Sequence, residues 1–206
     1  MAINGYPGAV HLSLPVDIMF SSFDEDVGSQ ERPFAMAAQA PARAWPEPEK
    51  LKTVLARLAD AKRPVLIGGH GVWWSGAEAL LEEAGRRLNI PIFNIPYHQK
   101  LLGEDCEAYM GLADVHQYHP SADAFNEADL VLMIGGRLDN QMNFGNPPLF
   151  PAMTTLCCIN GSHEEVDFNR AADMTLLSDP GAFLQAVIDA GASGDISTDK
   201  GWFELN

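Results

Sequence analysis

The residues of this sequence best placed to do chemistry stand beside glycines. Gly68, Gly69, His70 and Gly71 close one apolar run, and Gly135, Gly136, Arg137, Leu138 and Asp139 close another. Glycine lets the chain turn tightly and lets a ligand approach the backbone. Arg137 has the fork geometry to hold a diphosphate through two parallel hydrogen bonds, or it can pair with Asp139 or a neighbouring helix. His70 can meet an adenine or a phosphate, or simply face solvent. Pro96 and Tyr97, Asn160 and Asp179 end three further runs. Together these residues offer nucleotide binding rather than bond-making, and no catalytic residue is assigned. The pairs Glu82–Glu83 and Glu164–Glu165 read as solvated helix faces, because nothing in the sequence buries them. His98, His116 and His119 fit no zinc spacing, so no metal ligand is assigned.

These residues need a scaffold of strands. Leu130 to Ile134 is a short unbroken apolar run ended by glycine, which reads as a strand buried on both faces in a parallel sheet. Val65 to Ile67, Ile90 to Asn94, Thr155 to Ile159 and Asp173 to Leu177 read the same way. Leu51, Val54, Leu55 and Leu58 recur at helical spacing after Pro46 and Pro48. Further helices are expected from about Ser75 to Leu88 and from Pro120 to Ala128. A short one should open at Ser162, and a last one should span Pro180 to Asp189, capped by Ser178 or Asp179. Leu101 to Gln117 reads as loop, as does Asn143 to Pro151 with its adjacent prolines. Strands alternating with helices predict an α/β fold, a three-layer doubly wound, mostly parallel sheet of five to six strands. Ligands of such sheets sit at the carboxyl ends of the strands, where every candidate residue falls. The first glycine turn does not have the GxGxxG spacing.

The chain has 206 residues and a formal charge of −15, with 13 basic against 28 acidic residues. Scattered bases and an acidic balance argue against a nucleic-acid partner. No run of about eighteen apolar residues occurs, so no membrane span is expected. No basic region followed by an apolar core opens the chain, and a cytoplasmic location is expected. Cys106, Cys157 and Cys158 form no disulfide framework and read as buried thiols. Ala9 to Leu14 alternates like a strand, while 21–46 has linker composition.

At this point the residues resemble a known family. RPVLIGGHG, NEADLVLMIGGRLD and LLSDPGAFLQAV are similar to the central domain of thiamine-diphosphate-dependent enzymes. The type is that of acetolactate synthase, benzaldehyde lyase, 2-hydroxyacyl-CoA lyase and oxalyl-CoA decarboxylase. GYPGAVHLSLPVDIMF resembles the last strand of the preceding pyrimidine-binding domain, which often ends GPVHLxLPxDV. The resemblance implies a DHS-like NAD/FAD-binding fold. It also implies four segments: 1–20 the tail of a preceding domain, 21–46 a linker, 47–190 the central domain, and 191–206 a linker to a C-terminal diphosphate-binding domain. Thiamine diphosphate and Mg would be held by those neighbours, since the family's activating glutamate and its GDG motif are not in this sequence. The parent would be a lyase or transferase acting on small 2-keto acid or 2-hydroxyacyl substrates, as a homodimer or homotetramer. The isolated chain would not catalyse.

In such relatives the central domain is structural or carries ADP, CoA or FAD. Gly68 to Gly71 resembles the ligand-facing turn, and Gly135 to Asp139 resembles the GxRxD segment. Leu138 stands where synthases usually have phenylalanine, and Asn140 where they have a second aspartate. Asn160 stands where an acidic residue often reaches a ribose, which counts against FAD. RLDNQMNFGNPP is closer to the RLNxxxxFGxPP run of the 2-hydroxyacyl-CoA lyases. Two other readings stay open: a free-standing nucleotide-binding module of sirtuin-like or electron-transfer-flavoprotein-like kind, and a brace domain with an empty crevice.

Overall fold

The computed structural model describes residues 8–22, 42–96, 101–103, 105–114, 116, 119–167, 169–196 and 202. The chain divides into two units, Met1–Ala42 and Arg43–Asn206. In the first unit, helix α1 (Val16–Met19) is a single exposed turn. Ala9 to Leu14 is not the strand its alternation predicts. No described strand offers it a ladder, and Val10, Leu12 and Leu14 are exposed.

The second unit is the α/β fold expected from the sequence. Its elements run α2 (Pro48–Asp60), β1 (Pro64–Gly68), α3 (His70–Ser75), α4 (Glu78–Leu88), β2 (Ile92–Asn94), β3 (Tyr109–Leu112), α5 (His119–Glu127), β4 (Leu130–Ile134), β5 (Thr155–Asn160), β6 (Met174–Leu177) and α6 (Pro180–Ser193). The six strands lie in the order β3-β2-β1-β4-β5-β6. All pairings are parallel. Alternate residues of each strand feed opposite faces. Leu66, Leu132, Ile134, Cys157 and Ile159 pack with Leu58, Leu81, Leu88, Phe183 and Val187 of α2, α4 and α6. Val65, Ile67, Phe93, Val131, Met133 and Cys158 pack under Phe125 of α5 and Phe150. Phe125 stacks on Phe150 at 5.2 Å and meets Phe93 edge-on at 5.1 Å.

Four local readings change. The helix expected from Ser75 begins at His70 and breaks at Gly76, whose left-handed φ of 62° no side-chain-bearing residue adopts easily. Tyr109–Leu112 is a strand inside the stretch read as loop. It is an edge strand, only partly buried, so it lacks an apolar run, and Gly111 interrupts it at φ 117°. The segment after Ser162 is a turn rather than a helix: the Ser162 hydroxyl accepts from Glu164 N, but no helical ladder follows. Helix α6 continues to Ser193, and Ile196 packs in the core beyond it. Trp202 donates from its indole to Pro64 O at 3.1 Å and packs against the α5 face.

Cys157 and Cys158 are buried side by side in β5. Burial raises both thiols above the ordinary value of 9.0, helped at Cys157 by the neighbouring Cys158 and then Asp173 and at Cys158 by Asp167, and Cys158 is pushed up to about 12. A raised thiol favours the neutral form in the folded state. Its stabilising contribution is whole below the unfolded value and fades as pH climbs towards the folded one. Stability should therefore fall between pH 8 and pH 10 by about 1.4 kcal/mol per thiol. Urea midpoints at the two pH values, compared with a Cys157→Val/Cys158→Val variant, should show the smaller loss in the variant. Equal losses would mean that the thiols do not set the pH dependence.

Candidate functional site

Strand order reverses between β1 and β4, the central pair, so their carboxyl ends flank the crevice where open α/β sheets bind ligands. Both glycine turns leave the sheet at this point, with Gly68 in register with Ile134. Gly69 N donates to Ile134 O at 2.9 Å, Gly71 N to Gly135 O at 2.7 Å and Gly135 N to Ile159 O at 2.8 Å. A Cβ on Gly69 would lie 2.5 Å from Gly136 Cα, and one on Gly71 would lie 2.7 Å from Gly135 Cα. Gly135 has φ 65°. A Cβ on Gly136 would strike Ile95 and Met133, and one on Gly68 would lie 2.7 Å from Leu81. The glycines thus let two backbone turns touch each other. Three of the amides that a diphosphate would need are already donated to carbonyls within the fold.

The polar residues around these turns are also engaged. Arg137 is half exposed and lies 3.5 Å from Glu165, whose side chain is largely buried. The pair Glu164–Glu165 is therefore not a uniformly solvated face. Leu138 is buried, and its carbonyl accepts from Asn169 Nδ2 at 2.6 Å. Asp139 caps a short 3₁₀ turn, Asn140–Gly145, by accepting from Gln141 N at 3.1 Å. Asn160 accepts from Ser162 N at 3.3 Å and donates to Gly136 O at 3.4 Å. Asp179 is engaged as the N-cap of α6, accepting from Ala182 N at 3.1 Å and from the Ser75 hydroxyl. His70 lies half-buried in the first turn of α3, not in a free turn. Pro96 is buried just past β2, where Ile95 N donates to Gly68 O at 2.9 Å. Tyr97 lies outside the described residues. Gly69, Gly71, Gly135, Gly136 and Asn160 therefore come together, and Asp179 lies next to Pro180, which borders Gly71.

One residue at this edge escaped the sequence reading. Asn94 ends β2, is 2% exposed, and has no partner among the described residues for either atom of its amide. Its Oδ1 would be 3.7 Å from a Cβ on Gly68, beside Leu81 and Leu101. The signal was present, a polar residue closing an apolar strand, but the same signal marks many strand ends. Trp73 and Trp74 pack edge to face at 4.6 Å on the exposed side of α3.

With this geometry in hand, the comparisons identify the family. The family model described as "Thiamine pyrophosphate enzyme, central domain" matches residues 51–187. The chain belongs to that family. It is 26% identical over 188 residues to a probable acetolactate synthase large subunit of Methanococcus aeolicus, covering 91% of this chain and 31% of that protein. It is 28% identical to 2-hydroxyacyl-CoA lyase 1 of Dictyostelium discoideum, covering 83% of this chain and 27% of that protein. The chain thus spans about a third or less of the length of these relatives. The solved benzoylformate decarboxylase of Polynucleobacter necessarius shares the fold, with a TM-score of 0.61 and 22% identity over 74% of this chain and 29% of its own. A protein of Mycobacterium smegmatis described as "a putative thiamin diphosphate-dependent enzyme" does so at 0.63 and 22%, over 73% of this chain and 29% of its own.

Thiamine diphosphate is bound through a metal ion and phosphate ligands. Among the described residues no group of three His, Cys, Asp or Glu is placed to hold a metal ion. The described residues do not fit that group.

Three substitutions test this geometry. Gly69→Ala should cost on the order of 3 kcal/mol, because its methyl meets immovable backbone. Gly161→Ala, whose Cβ would lie 3.9 Å from Ser178 O, should cost under about 0.5 kcal/mol. Asn94→Leu should stabilise the chain by about 1 kcal/mol, since it removes an unpaired buried amide. Denaturant titration of the three variants reads all of these values.

Proposed function

We propose that this chain is the bracing central part of a longer thiamine-diphosphate-dependent enzyme of the acetolactate synthase and 2-hydroxyacyl-CoA lyase type. The parent cleaves or joins carbon–carbon bonds of 2-keto acid or 2-hydroxyacyl substrates. On this reading residues 1–20 end a pyrimidine-binding domain, 21–46 connect, 47–190 brace, and 191–206 lead to a diphosphate-binding domain. Those neighbours hold thiamine diphosphate and Mg, and the cofactor supplies the chemistry. The parent is a cytoplasmic homodimer or homotetramer. The observation that carries the bracing role is the direct contact of the two glycine turns. It narrows the switch-point crevice with backbone and takes up three of the amides a diphosphate would use.

Asn94 favours a second reading. Its unpaired amide lies at the same edge as the half-exposed Arg137. An adenine nucleotide (ADP, CoA or FAD) would bring polar edges to the first and phosphates to the second. A thermal-shift titration separates the readings. A bound ligand at a hundred times its dissociation constant stabilises by roughly 2.7 kcal/mol. The bracing reading predicts no shift with ADP, CoA, FAD or thiamine diphosphate. A shift with one nucleotide, lost in Arg137→Ala and in Asn94→Leu, would replace it with the second reading.

A further inference from the structure

We propose that residues 43–45 form a releasable strap that couples the chain entering this unit to α3 and α6, and through them to the glycine turns. One carboxylate organises the joint. Asp179 accepts from Ala182 N at the start of α6 and from the Ser75 hydroxyl at the end of α3. The Arg43 guanidinium reaches both sides of that joint. Its Nη1 lies 3.5 Å from Asp179 Oδ1, and its Nη2 donates to Ser75 O at 3.0 Å. The backbone closes the strap, with Asp179 N donating to Ala44 O at 2.8 Å. Pro180, next in the chain, lies 3.2 Å from where a Cβ on Gly71 would be. The path from Arg43 to the glycine turn is therefore continuous contact.

The two halves of this joint differ in strength. Ser75 is buried and the Asp179 side chain is 12% exposed, so the link between α3 and α6 is sheltered from water. The Arg43 side chain is 58% exposed, and an ion pair that wet contributes little. Trp45, two residues on, is exposed as well. The strap can therefore lift while α6 keeps its cap. Lifting would free Ser75 O and Asp179 N, the two groups that residues 43 and 44 satisfy, and loosen α3.

Trypsin reports the strap directly, because its cleavage point follows Arg43. In the full 206-residue chain, Arg43→Lys keeps that cleavage point and loses the two-sided fork. Asp179→Asn removes the charge but keeps a residue suited to capping α6. Each should speed cleavage after residue 43 by about fivefold, since proteolysis follows the open population. Amide exchange in 70–75 should quicken in the same variants, with the melting temperature little changed. Unchanged cleavage in both variants would overturn the strap. Faster cleavage with unchanged exchange in 70–75 would overturn the coupling. Arg43→Lys leaves the cap of α6 untouched, so it remains readable even if Asp179→Asn loosens that helix.

Discussion

Gly69 and Gly71 sit against Gly135 and Gly136 at distances that leave no room for a Cβ. The contact joins the two central strands just beyond the point where their ladder ends, and it continues that ladder through Gly69 N and Gly71 N. Much else follows from it. Helix α3 must start at His70, because its entry is fixed by Gly69. Asn160 must turn back on Gly136 O rather than outward. The crevice that parallel sheets leave at a switch point is narrowed by the protein's own backbone.

The loop after β4 shows how much constraint this edge carries. Asn143, Phe144 and Gly145 all have left-handed backbone, at φ 48°, 53° and 73°. Two consecutive side-chain-bearing residues in that region are costly and persist only where surroundings over-determine them. In this loop Phe144 N donates to Asp139 O at 2.8 Å, and Arg170 Nη1 donates to Gly145 O at 2.7 Å. Asn169 and Glu165 add ties to Leu138 and Arg137. The loops after β4 and β5 are thus clamped together, as the proposed bracing role requires.

The sheet was legible in the sequence because buried parallel strands are written as apolar runs closed by glycine, and Leu130 to Ile134 and Pro64 to Gly68 are such runs. The cap of α6 was legible for a similar reason, since Asp179 followed by Pro180 is local chemistry. β3 was hidden because an edge strand is half wet and Gly111 breaks its pattern. The contact between the glycines was hidden for a different reason. A glycine that admits a ligand and one that admits another backbone look identical in one dimension. Only the pairing of β1 with β4 shows that these four face each other. Arg137 likewise had three partners open to it, and the fold brings Glu165 to it from the loop after β5.

Native-state amide hydrogen exchange at Gly69, Gly71 and Gly135 tests the closure of the crevice most directly. If these amides are donated to Ile134, Gly135 and Ile159 and closed over by the opposing turn, they should exchange only when the whole unit unfolds. Their protection would then match that of Leu132 at the middle of β4. Rapid exchange at Gly69 and Gly71 with Leu132 protected would mean that the turns open on their own. The crevice would then be available to a ligand, and the contact of the two turns would no longer define a closed brace.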